Sequence, residues 1–138
     1  MTERMIKVLV VEDCEPWRSF YWEELRMRTD LHIVADVSDG IEAIQQAREQ
    51  QPDLILLDIG LPGLNGISAA RQIREACPSS KILFVSQEVS ADVVGEAMNT
   101  GASGYVVKLD ASTDLLPAIE AVLGGRRFLS ASLDSLPV

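Results

Sequence analysis

The chain has 138 residues, 47% hydrophobic and 24% charged, which is the balance of an ordinary globular domain with a real core. With 21 acidic residues against 12 basic, the net charge is −9; that excludes a broad nucleic-acid surface, which needs a basic stripe to neutralise phosphates, though not a small local patch. Cys14 and Cys77 are too few for a disulfide framework and lack metal-like pairing, and no apolar run approaches the ~20 residues that span a bilayer.

Residues 6–11, broken only by Lys7, form the first strand-like run. Pro16, favoured in a first helical turn, opens a helix with Trp17, Phe20, Tyr21 and Leu25 on one core face. Trp22 is rotated away from Trp17, at the edge of that stripe, and is expected to pack over an Arg stem. Residues 31–37 alternate as an edge strand does, with His32 on the surface. The run Ser38-Asp39-Gly40-Ile41-Glu42 opens a second helix in which Asp39 caps and Glu42 reaches back; Ile41, Ile44 and Ala47 then face inward. Leu54-Ile55-Leu56-Leu57 does not alternate, which predicts a strand buried on both faces.

A third helix carries Ile67, Ala70 and Ile73 and stops before Pro78. After a strand at 82–85, a fourth helix starts near Ser90, buries Val93, Val94 and Ala97, and ends near Gly101. A fifth strand at 105–107 leads to a helix carrying Leu115, Ile119, Val122 and Leu123 and ending at Gly124-Gly125. Pro117 removes an early hydrogen bond there, so a late start or a bend is expected. The Ser-rich tail after Phe128 reads as loosely structured. Five strands alternating with five helices predict a doubly wound α/β parallel sheet with right-handed crossovers.

In such folds the loops at the carboxyl ends of the strands form the binding crevice. Glu12 and Asp13 follow the first strand, Asp58 the third, Ser86 the fourth and Lys108 the fifth. Polar residues mark strand ends in any protein, but three carboxylates, a hydroxyl and an ammonium at one mouth form a device. Carboxylates gathered without a cation raise one another's pKa or bind metal, and oxygen donors with room for water suit Mg²⁺. A metal also relieves the repulsion that opposes attack by a carboxylate on a phosphoryl donor, so an aspartyl phosphate becomes accessible. Lys108 and Ser86 would supply a cation and a hydroxyl donor to the phosphoryl oxygens. Cys14, beside the acidic pair, is read as structural.

The runs Val8-Leu9-Val10-Val11-Glu12-Asp13, Asp58-Ile59-Gly60-Leu61-Pro62-Gly63-Leu64-Asn65-Gly66 and Gly101-Ala102-Ser103-Gly104-Tyr105-Val106-Val107-Lys108 resemble the receiver domains of two-component response regulators. The resemblance covers nearly the whole chain and implies a CheY-like, flavodoxin-like sheet of order 2-1-3-4-5. It implies a receiver domain over residues 1–128, with residues 129–138 a tail or the start of a linker. By the same likeness Asp58 is the phosphoacceptor and Asp13 a direct Mg²⁺ ligand, joined by Asp58 and the Gly60 carbonyl, with Glu12 acting through water. Ser86 is similar to the switch hydroxyl, Tyr105 to the aromatic that swings inward behind it, and Lys108 to the phosphate-binding lysine; Pro62 and Gly66 shape the loop beside the acceptor.

The family implies a sensor histidine kinase as partner, a homodimer, a cytoplasmic location and no membrane contact. It implies a phosphoacceptor regulatory domain rather than an enzyme, switching the face of the last two helices and fifth strand to control transcription. The stretch Gly124-Gly125-Arg126-Arg127-Phe128-Leu129-Ser130 resembles the receiver-to-linker junction of NarL/FixJ-type regulators, so DNA would be met only through an output domain absent from this chain. Three departures stand out: Gln87 after Ser86 narrows access, Gly60 leaves no side chain beside the acceptor, and Leu109 replaces a frequent proline, which favours a trans peptide. Three other readings are weaker. They are a receiver that binds protein without phosphorylation, a phosphatase with an Asp nucleophile (Gly60 stands where its second acid belongs), and a flavin module. The last wants a phosphate-cradling loop where Glu12-Asp13-Cys14-Glu15 repels phosphate.

Overall fold

The structure, a computed structural model, describes residues 5–133. The non-alternating apolar runs become β1 (Ile6–Val11), β3 (Leu54–Leu57), β4 (Lys81–Ser86) and β5 (Gly104–Val107), and β3 and β5 are buried at every position. The alternating run becomes β2 (Leu31–Val37), an edge strand of mostly half-buried residues. Helices α1 (Glu15–Leu25), α2 (Gly40–Gln50), α3 (Gly66–Ala76), α4 (Ala91–Asn99) and α5 (Ala111–Leu123) fill the intervals. All strand pairs are parallel, in the order β2-β1-β3-β4-β5 with a further strand, β6 (Phe128–Leu129), beyond β5.

Alternate residues of each inner strand feed two separate cores, as the period of two requires. Leu9, Val11, Ile55, Leu57, Phe84 and Tyr105 pack with α2, α3 and α4 through Ala43, Ala47, Ala70, Ile73 and Ala97. Val8, Val10, Leu54, Leu56, Leu83 and Val106 pack with α1 and α5 through Tyr21, Leu25, Leu115, Ile119 and Val122. Strand order reverses at β1, whose neighbours are β2 and β3, so the crevice opens beyond the carboxyl ends of β1 and β3. No helix among the described residues is long and apolar enough to cross a membrane.

Several local expectations change in the folded chain. Helix α2 buries Gly40, Ala43, Ile44 and Ala47, which is one helical stripe, and leaves Ile41 60% exposed; Ile41 lies about 100° off that stripe. Asp39 does cap, accepting from the Glu42 N–H at 2.8 Å, while Glu42 accepts from Ser38 rather than from the cap residue. Val93 is only half-buried. Helix α5 does not start late: a 3₁₀ turn, Lys108–Asp110, leads directly into Ala111, and Pro117 sits inside the helix. Both Pro117 and Thr113, whose carbonyl loses its partner, lie on the exposed side, where water can replace the missing bond.

The Trp22 indole N–H donates to Asp36 at 2.9 Å, the carboxylate that also pairs with Arg18 at 3.9 Å. His32 is half-buried. The segment expected to be loose instead continues the fold through Leu133. Phe128 and Leu129 pair with Gly104 and Tyr105, and a 3₁₀ turn, Ala131–Leu133, buries Leu133. β5 offers an open edge there, which two residues suffice to cover. Residues 134–138, the rest of that expected tail, lie outside the described residues. Every peptide bond described, including Lys108–Leu109, is trans.

Candidate functional site

The sheet ladder itself delivers the acidic residues to one place. The Glu12 N–H donates to the Val37 carbonyl at 3.0 Å and the Asp58 N–H to the Val11 carbonyl at 3.1 Å, so both acids stand one residue past strands locked in register. Asp58 Oδ1 accepts from the Ile59 N–H at 2.8 Å. The loop then returns close by: the Gly66 N–H donates to the Ile59 carbonyl at 2.8 Å, and a Cβ on Gly66 would lie 1.9 Å from the Asp58 carbonyl oxygen. Only glycine permits that approach. Asn65 caps α3 by accepting from the N–H groups of Ile67 and Ser68, which ends the loop directly after the acceptor segment.

Glu12, Asp13, Asp58, Gly60, Ser86 and Lys108 line one cleft of about 270 Å³, room for several waters at ~30 Å³ each. Glu12 is 0% exposed and Asp58 7%, while Asp13 faces solvent. One oxygen from each of the three carboxylates lies within 4.8 Å of the others. Among the described residues the one ammonium beside them is Lys108, whose Nζ stands 2.9 Å from Glu12 Oε1 and 3.1 Å from Asp58 Oδ2.

The charges do not balance. Burial, and then the Asp58 charge, push the Glu12 carboxyl above the usual range despite its bond to Lys108. Burial works against the Lys108 ammonium, but Glu12 and Asp58 outweigh it and raise the group overall. Even at 4.8 Å, the upper limit of their separation, two unit charges repel by about 3.5 kcal/mol at an effective dielectric of ~20. A second cation is the natural completion. The donor set is entirely hard oxygen, with Asp13 open to water, and this fits Mg²⁺ better than a soft-ligand metal.

Ser86 and Tyr105 meet at one residue. Ser86 Oγ accepts from the Glu88 N–H at 3.2 Å, and the Tyr105 hydroxyl donates to the Glu88 carbonyl at 2.8 Å. Tyr105 is fully buried behind the cleft rather than lining it, and burial pushes its phenol up to about 12. The β4–α4 loop is thus tethered at Glu88 by both side chains.

Two aromatic residues read as plain core touch the site. Trp17 lines the cleft with its ring 4.9 Å from Lys108 Nζ, a cation–π distance. The Tyr21 hydroxyl reaches Glu12 Oε1 at 3.4 Å. The sequence carried no separate signal for either contact, because both rings lie on the apolar face of α1. Cys14 is exposed in the cleft rather than built into the core, and its backbone N–H donates to Glu12 Oε2 at 3.2 Å. Cys77 is the buried cysteine; its thiol donates to the Ala47 carbonyl.

Comparison with known proteins agrees with this geometry. The family described as response regulator receiver domain matches residues 8–120. The chain is 31% identical over 129 residues to the transcriptional regulatory protein LnrK of Bacillus subtilis, covering 94% of this chain and 59% of that protein. It is 32% identical over 126 residues to the nitrate/nitrite response regulator NarL of Escherichia coli, covering 91% and 58%. A crystal structure of a LuxR-family two-component response regulator from Aurantimonas sp. SI85-9A1 superposes with a TM-score of 0.88 at 34% identity, covering 94% of this chain and 92% of that one. The chain spans less than two thirds of the length of both curated relatives. A match over most of the chain, on a sheet of this order with an acidic cleft at its switch point, shows that the protein belongs to the response regulator receiver domain family.

Proposed function

We propose that Asp58 accepts a phosphoryl group from a phosphohistidine on a sensor histidine kinase, and that this event sets the output of a cytoplasmic, homodimeric transcriptional regulator. The observation that carries the reading is Lys108 Nζ placed between Asp58 and Glu12 at 3.1 and 2.9 Å, beside carboxylates gathered within 4.8 Å. Asp13, Asp58 and the Gly60 carbonyl would hold Mg²⁺ directly and Glu12 through water. When bound, the ion supplies the positive charge that lets an anionic phosphoryl group approach a carboxylate.

Asp58 is the nucleophile: a carboxylate oxygen bonds to phosphorus as the donor's phosphorus–nitrogen bond breaks, and the leaving imidazole takes a proton from solvent. Lys108 then exchanges its contact with the Asp58 carboxylate for the phosphoryl oxygens. Ser86 turns its hydroxyl from Glu88 to the same oxygens and releases one of the two tethers on the β4–α4 loop; Tyr105, already fully buried rather than waiting to swing inward, keeps the other through the Glu88 carbonyl. The face of α4, β5 and α5 shifts with the loop. The added charge is roughly −1.5 to −2, by analogy with other phosphorylated side chains. Moving the switch from mostly off to mostly on takes about 5.5 kcal/mol, which two or three charge-assisted bonds of ~1.5–3 kcal/mol approach. DNA would be contacted only through an output domain, consistent with relatives that are transcriptional regulators and longer than this chain.

Incubation with acetyl phosphate or phosphoramidate and Mg²⁺ tests the assignment by intact mass. One phosphoryl group is expected on the wild-type chain and none on Asp58→Asn. An unmodified wild type, or label that survives the substitution, overturns it.

A further inference from the structure

Ser130 is fully buried, yet it belongs to no part of the acidic cleft. Its hydroxyl accepts from the Val107 N–H at 3.0 Å and donates to Asp114 Oδ2 at 2.8 Å, and its own N–H donates to the Tyr105 carbonyl at 3.0 Å. Two residues on, the Ser132 hydroxyl donates to Asp110 Oδ2 at 2.7 Å. These bonds close around the 3₁₀ turn Lys108–Asp110. The residue before Lys108 is held by Ser130, and the last residue of the turn by Ser132. The turn is therefore stapled on both sides by a segment about twenty residues further along the chain.

We propose that Ser130 and Asp114 are positioning residues for Lys108, so that the clasp formed by residues 128–133 and a phosphoryl group on Asp58 stabilise each other. The proposal rests on the phosphoacceptor reading above and deepens it by naming a regulator of the same site. Lys108 reaches both carboxylates from a turn only three residues long, and a long flexible side chain is placed no better than the backbone that carries it. Val107 needs an acceptor for its buried N–H, and a hydroxyl serves only while its proton is directed elsewhere, which is the part Asp114 plays. Coupling of this kind is reciprocal by thermodynamic necessity: a clasp that favours the phosphoryl group is itself tightened by it.

The test uses the whole chain and two ligands, Mg²⁺ alone and then beryllofluoride, a phosphoryl mimic, at saturating Mg²⁺, each measured by calorimetry. Ser130→Ala is expected to weaken beryllofluoride about fivefold, the weight of one net hydrogen bond, without weakening Mg²⁺, which the carboxylates hold. Asp114→Ala is expected to give a smaller loss, and Asp114→Asn, which still accepts from Ser130, to restore it; these two carry the test if Ser130→Ala does not fold. In the wild type, beryllofluoride should slow amide hydrogen exchange at Val107 and Ser130. Unchanged beryllofluoride affinity in the Ser130 and Asp114 alanine variants overturns the proposal, and so does an equal loss for both ligands, which a merely structural role would produce. A wild type that binds Mg²⁺ but no beryllofluoride sinks the phosphoacceptor reading itself, a result distinct from either.

Discussion

Two polar sites lie on opposite sides of Lys108, and they are finished to different degrees. In the clasp, a neutral hydroxyl joins one amide N–H to one carboxylate, and every group has its partner. In the cleft every buried polar side chain is also hydrogen-bonded, yet three carboxylates share a single ammonium. Hydrogen-bond satisfaction and charge balance are separate conditions: the clasp carboxylates, Asp110 and Asp114, are only half-buried, so water screens them, whereas Glu12 and Asp58 are buried together. An arrangement left short of positive charge in a buried place favours a ligand that supplies it. The clasp needs nothing further and acts by holding.

The contrast is broken most directly by removing the shared lysine. Lys108→Ala leaves Glu12, which is fully buried, beside Asp58 with no cation, and losing one partner of a buried pair costs about 3–5 kcal/mol. Proton uptake by Glu12 recovers part of this, so about 3 kcal/mol is expected from urea denaturation in metal-free buffer. Asp114→Ala removes one hydrogen-bond acceptor from the clasp and should cost about 1 kcal/mol. Equal losses for the two variants would mean that the cleft is no more strained than the clasp.

A pH series sharpens the same comparison at smaller cost. The Glu12 carboxyl is raised above its ordinary 4.5 by burial and by the Asp58 charge, so it binds a proton more tightly folded than unfolded. Its contribution to stability is therefore complete below about pH 4.5 and is lost as pH rises through the folded value. Lys108 is raised as well, but its contribution persists until alkaline pH, above that window. Glu12→Gln keeps an acceptor for Lys108 and removes the titration. In metal-free buffer the wild type should lose stability relative to Glu12→Gln as pH rises above 4.5. Parallel curves would show that Glu12 does not titrate differently in the folded chain.

The cleft was legible before folding and the clasp was not, for a physical reason. Leu54-Ile55-Leu56-Leu57 announces a strand buried on both faces, and whatever follows such a strand in a doubly wound sheet arrives at the crevice. Asp58, Glu12 and Lys108 were therefore placed by the order of elements alone. Phe128-Leu129 is too short to show any period; it becomes a strand because β5 presents an unpaired edge to it, a property of the assembled sheet. Ser130 likewise looks like any tail serine until Val107 is in place to be capped. Ile41 failed for a narrower reason, since an apolar residue one position off the buried stripe cannot be told from a core residue by its chemistry. Trp17 was readable as apolar but not as a neighbour of Lys108, because a helix face shared by core and cleft carries one pattern for both.

Trp17 gives the smallest expected effect and tests where the cleft ends. Its ring stands 4.9 Å from Lys108 Nζ, an interaction worth about 0.5–1 kcal/mol at a site open to water. Lys108 also keeps its two carboxylates, so Trp17→Leu should weaken beryllofluoride by only about threefold and Trp17→Phe by less. Loss of packing is the competing explanation, because Trp17 also meets Phe20 edge-on at 5.3 Å. Fluorescence separates the two. Trp22 is tied to Asp36 rather than to the cleft, so a Trp22→Phe background leaves Trp17 as the reporter. If the ring senses the ammonium, its emission changes when beryllofluoride draws Lys108 toward the phosphoryl position, and the change is absent in Lys108→Ala. Emission that ignores beryllofluoride while the ligand still binds would return Trp17 to the core and leave the cleft to its polar residues alone.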